Sequence, residues 1–113
     1  MKTLQANIGL NNNKFNVDEL INYLMGHADF NLLSYNLVNG EYLSSEEPTL
    51  VCVLEYKFSR ASQLLLKFEQ MADVMNQECI AFKADGIEAL AYSHSFSGVK
   101  MVFDSQYFIE PIN

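Results

Sequence analysis

Few side chains in this sequence offer chemistry: two histidines, His27 and His94, two cysteines, Cys52 and Cys79, and a single arginine, Arg60. A Ser-His-acid relay needs its base within hydrogen-bond reach of both partners. His94 sits in Tyr92-Ser93-His94-Ser95, which reads as a surface turn, and no G-x-S-x-G nucleophile elbow accompanies it. Cys52 lies between Val51 and Val53, and Cys79 precedes Ile80-Ala81-Phe82, so both read as small core residues kept as thiols. A reactive cysteine needs an electropositive setting, and Glu78 beside Cys79 works against one.

No C-x-x-C, H-x-x-x-H or acidic calcium loop is present, and no glycine-rich phosphate loop. No metal or cofactor is expected. Glu41, Glu46 and Glu47 gather in what reads as a polar loop, suited to a basic protein surface as partner. Asn11-Asn12-Asn13-Lys14 precedes a helix start, a place where free N–H groups and the helix dipole favour an anion. The Arg60 fork suits phosphate or carboxylate. Tyr35, Tyr56 and Tyr92, if on neighbouring strands, would frame a planar ligand. Together with Asn7, Arg60 and His94 they form the candidate ligand-binding set.

The elements that would position these residues follow from periodicity. Leu4, Ala6, Ile8 and Leu10 alternate with Gln5, Asn7 and Gly9, the pattern of a half-covered strand. Asn16 with Glu19 three positions on is a capping box, and Phe15 with Leu20 has staple spacing. Val17, Leu20, Ile21 and Leu24 make the buried stripe of this first helix, and Gly26 is its stop signal. Phe30–Val38 reads as a second strand, with Leu33, Tyr35 and Leu37 on one face and Leu32, Ser34 and Asn36 on the other. Asn39-Gly40 reads as a turn, 41–48 as the acidic loop, and Thr49–Phe58 as a third strand that is apolar on both faces. A second helix starts near Ser59 and runs to about Asn76, with Ala61, Leu64, Leu65, Phe68, Met71, Ala72 and Met75 on one face. Glu78–Lys83 and Ile87–Ser93 are further strands around an Asp85-Gly86 hairpin signal, and Val99–Phe103 reads as a sixth.

The order strand, helix, strand, strand, helix, strand predicts an α+β, ferredoxin-like sandwich: two helices on one face of an antiparallel sheet, the first strand between the third and fourth, and a C-terminal hairpin extension. Cys52 and Cys79 would then lie two strands apart, roughly 9.5 Å, too far for a disulfide. The order, with the Asn76–Ile80 stretch entering the fourth strand, resembles small ferredoxin-like proteins, some of them carried by phages, although no motif names a family and no residue role is carried over.

The chain has 113 residues with 14 acidic side chains against 7 lysines and arginines, a net charge of -7, and is 50% hydrophobic. One domain spanning 1–113 is expected. The balance argues against disorder and against direct nucleic-acid binding. No apolar run reaches the 18 or more residues of a membrane span, and no secretory signal is indicated, so a cytoplasmic setting is expected. The apolar excess on the third strand calls for a cover on the second sheet face, where Gln5 and Asn7 would also lie; a second copy of the chain is the favoured cover, and the chain's own fifth and sixth strands are the alternative. These features point to a non-enzymatic, homo-oligomeric binding module for a protein or small ligand, of which a phage-type inhibitor or sequestering protein is one version. The competing reading is a small dimeric ferredoxin-like enzyme with His94 or a tyrosine as acid–base group in a cavity.

Overall fold

The computed structural model describes residues 2–42, 45–84 and 86–94; the expected sixth strand and the C-terminal tail lie outside the described residues. The elements are β1 (Lys2–Gly9), α1 (Val17–Met25), β2 (Phe30–Tyr42), β3 (Ser45–Tyr56), α2 (Ala61–Met75), β4 (Cys79–Ala84) and β5 (Ile87–Tyr92). All neighbouring strands run antiparallel, in the order β2-β3-β1-β4-β5. β1 lies between β3 and β4, as expected. β5 continues the sheet beyond β4, so the observed order is five-stranded and not that of a plain four-stranded sandwich.

Local chemistry sets the helix ends. The Asn16 side chain accepts the Glu19 N–H at 2.9 Å while the Glu19 carboxylate accepts the Asn16 N–H at 3.1 Å, a complete capping box. α2 starts at Ala61, with Arg60 in extended conformation as its cap residue and the Gln63 side chain accepting the Arg60 N–H at 3.1 Å. α2 ends at Asn76, which takes the left-handed conformation (φ 58°) that asparagine tolerates well. Between β4 and β5 a two-residue turn contains Gly86 at φ 79°, the positive value that primed hairpin turns require.

One apolar layer joins sheet and helices. Leu4, Ala6 and Ile8 of β1, Leu50, Cys52 and Leu54 of β3, and Ile80 and Phe82 of β4 are buried with Leu20 and Leu24 of α1 and the α2 stripe. A run of ring contacts crosses this layer from Phe15 through Tyr23, His27, Phe30 and Phe68 to Phe82, with centroid separations of 4.8 to 5.7 Å.

Two expectations about β2 and β3 are corrected. Asn39-Gly40 is not a turn, and 41–48 is not a loop: Asn39 pairs with Pro48, Gly40 with Glu47, and the ladder continues to Tyr42 opposite Ser45. The hairpin is therefore longer by several residues on each side. Second, a bulge between Leu32 and Ser34 inserts one residue and reverses the alternation. Leu32, Tyr35 and Leu37 lie opposite Leu54, Cys52 and Leu50 and so point to the helix side, whereas Ser34, Asn36 and Val38 lie opposite Val53, Val51 and Thr49 on the other face.

That second face mixes amides with small apolar groups. The row Asn36–Val51–Asn7–Ala81–Leu90 crosses all five strands, and Ser34–Val53–Gln5–Lys83–Glu88 runs beside it. Gln5 donates to Asn7 at 3.1 Å, and Lys83 pairs with Glu88 at 3.1 Å. Val51 and Val53 are half-buried by their own neighbours.

Candidate functional site

The fold disperses most of the expected ligand set. Asn7 is on the second face, in β1, accepting from Gln5. Tyr92 is in β5, with Tyr35 in β2 at the opposite edge of the sheet, so the three tyrosines do not share neighbouring strands. Tyr35 is 50% exposed, but Tyr56 is 5% exposed and belongs to the core. Tyr56 pairs with Phe30, and Tyr35 with Cys52 four residues away along β3, about 13 Å at the usual rise per residue. A tyrosine stacking platform is therefore not formed.

His94 is not a bare surface turn. It follows β5 and turns towards α2, where its Nε2 lies 3.3 Å from Glu69 Oε1 and its Nδ1 lies 3.6 Å from Asp73 Oδ2. Its side chain is 59% exposed while that of Glu69 is 12% exposed. The Ser93 hydroxyl donates to the Asp73 carboxylate. Two carboxylates from one helix thus hold the end of the last described strand. The sequence places Glu69 and Asp73 four apart on a helix, but only the fold brings His94 between them.

The acidic trio separates. Glu46 is exposed, opposite Glu41 in the ladder near the end of the β2–β3 hairpin. Glu47 instead lies over Gly9 at the surface and accepts the Asn11 N–H at 3.2 Å. The anion met by the Asn11–Lys14 loop is thus the protein's own carboxylate. The same loop is tied to the end of α2, with Asn76 and Gln77 side chains donating to the Asn12 and Asn11 carbonyls at 3.3 and 3.0 Å and the Lys14 N–H donating to the Met75 carbonyl at 2.8 Å.

Two of the expected residues do converge. Tyr56 and Arg60 line one cavity of about 220 Å³ at the corner where β1 begins, β3 ends and α2 begins. Phe58, Leu64, Phe82 and Ile87 form its apolar lining together with Tyr56, and Lys2 joins Arg60 as a charged contributor. His94 does not line it. The four-residue link 57–60 from strand to helix brings Tyr56 and Arg60 to the same cavity.

The thiols differ in setting. Cys52 is fully buried, its Sγ donating to the Ala6 carbonyl at 3.6 Å, and burial pushes its pKa up to about 12. Such a thiol is a poor nucleophile. Cys79, expected in the core, is only half-buried, and neither cysteine forms a disulfide. Among the described residues no three metal-ligating side chains gather, and no helix is long and apolar enough to cross a membrane. No family model matches the chain, and comparison with curated proteins and with solved structures finds no match.

Proposed function

We propose that this chain is a non-enzymatic binding module on an elaborated ferredoxin-like frame, and that it self-associates by pairing the β2 edges of two copies. The frame is inferred from the β2-β3-β1-β4 part of the sheet, with β5 appended. The observation that carries self-association is the outer edge of β2. Among the described residues β2 pairs only with β3, leaving one side of a 13-residue strand open. An open edge offers backbone donors and acceptors to another strand unless charge, proline or shortness blunts it. Of the seven exposed large hydrophobic residues among those described, four, Leu33, Tyr35, Leu37 and Val38, are on this strand.

A second copy is the occupant favoured by charge. Each chain carries -7, yet residues 30–40 contain no charged side chain, so two such edges meet without like-charge repulsion at the contact. Antiparallel pairing of identical strands also gives a closed two-fold dimer. The acidic residues Glu41 and Glu46, paired in the ladder beyond residues 30–40, suit a basic protein surface. Two cysteines outside any disulfide fit a reducing, cytoplasmic setting.

Light scattering and sedimentation across a concentration series test the reading. The native chain is expected to be a dimer, and Leu37→Lys, at a side chain 58% exposed, is expected to give a folded monomer whose melting temperature no longer depends on protein concentration. A native chain that stays monomeric, or a dimer indifferent to Leu37→Lys, overturns it.

A further inference from the structure

The cavity at the start of α2 has a charge character opposite to that of the whole molecule. The chain has 14 acidic residues, yet none of the described residues lining this cavity is acidic, while Arg60 and Lys2 both line it. Two of the seven lysines and arginines, Lys2 and Arg60, thus line this one cavity. The Arg60 guanidinium forms no ion pair among the described residues, and Arg60 is exposed. The first turn of α2 contains no acidic side chain, so nothing there offsets the positive end of the helix. Tyr56, Phe58 and Phe82 are its aromatic lining residues.

We infer that this cavity binds a small amphipathic anion, an aryl carboxylate, with its ring against the aromatic lining and its carboxylate on Arg60. The volume of about 220 Å³ suits a single ring rather than a larger cofactor. One arginine fork matches one carboxylate through two parallel N–H bonds, and the apolar lining contributes what a free anion lacks. The cavity is formed within one chain and away from the exposed run of β2, so this binding and the pairing of β2 edges stand or fall separately.

Titration of the isotope-labelled full chain with phenylacetate, benzyl alcohol and acetate, followed by amide chemical shifts, tests the inference. Phenylacetate is expected to bind with shifts centred on Tyr56, Phe58 and Leu64, and benzyl alcohol and acetate to bind at least about tenfold more weakly, since each lacks one half of the recognition. Arg60→Gln is expected to weaken phenylacetate about tenfold, and Arg60→Lys to recover part of that loss. Arg60 is exposed, so neither variant is expected to alter folding. Absence of phenylacetate binding, shifts centred elsewhere, equal binding of acetate or benzyl alcohol, or undiminished binding by Arg60→Gln overturns it.

Discussion

The Thr49 side chain fills the space above Gly40 on the neighbouring strand. A β-carbon placed on Gly40 would collide with Thr49 Oγ1 and stand 2.9 Å from Thr49 Cβ. Gly40 is opposite Glu47, and Thr49, two residues further along β3, donates from its hydroxyl to the Glu47 carbonyl at 3.1 Å. The close approach, and not a turn, is the reason for glycine at this position.

Gly40→Ala is therefore expected to destabilise the protein by about 1–3 kcal/mol, the usual range for overpacking. Urea unfolding of Gly40→Ala, Thr49→Ala and the double variant checks it. The double variant should lose less than the sum of the two single changes, because removing Thr49 Oγ1 relieves the collision.

Cys52 is expected to resist alkylation in the folded protein. Its pKa is pushed up to about 12 by burial, against an ordinary 9.0, so almost no thiolate exists near neutral pH. Thiol titration should find Cys52 unmodified until denaturant is added. The same shift has a sign for stability. Above pH 9.0 the unfolded chain releases a proton that the folded thiol keeps up to about 12, so this contribution to stability falls as pH rises through that interval.

His27 is expected to make the fold sensitive to acid. Burial holds its pKa below 6.5; Asp29, 3.6 Å away, raises it in part, and Lys67 lowers it. A histidine held low binds its proton more readily when unfolded. Its contribution to stability is therefore complete above 6.5 and lost as pH falls through the folded value. Urea midpoints measured between about pH 5 and 8 should rise with pH, and His27→Gln should flatten that rise.

Asn16→Ala is expected to cost about 1 kcal/mol, because it leaves the Glu19 N–H without its acceptor and breaks the reciprocal box. Thermal unfolding checks this, with Asn16→Ser retaining most of the stability.

What could be read in advance was local. The capping box of Asn16 and Glu19, the alternation of Leu4, Ala6 and Ile8, the α2 stripe and the two-residue turn before Ile87 each depend on residues within a few positions of one another. Strand β1 between β3 and β4 also followed from element order. The expected ligand set fared differently: Tyr56 and Arg60 share a cavity, whereas Asn7, Tyr35, Tyr92 and His94 lie apart.

By itself the sequence determined two helices, five of the strands, an apolar layer and the burial of Cys52, though not of Cys79, because backbone propensity and side-chain period act over short separations. Only the tertiary structure decided that Gly40 continues a strand, that the bulge at Leu32/Ser34 turns Tyr35 and Leu37 to the helix side, that Glu47 folds back onto Asn11, and that His94 sits between Glu69 and Asp73. Each depends on a partner across a strand or helix, 9 positions away for Gly40 with Thr49 and 36 for Glu47 with Asn11, and local propensity carries no information about such a partner.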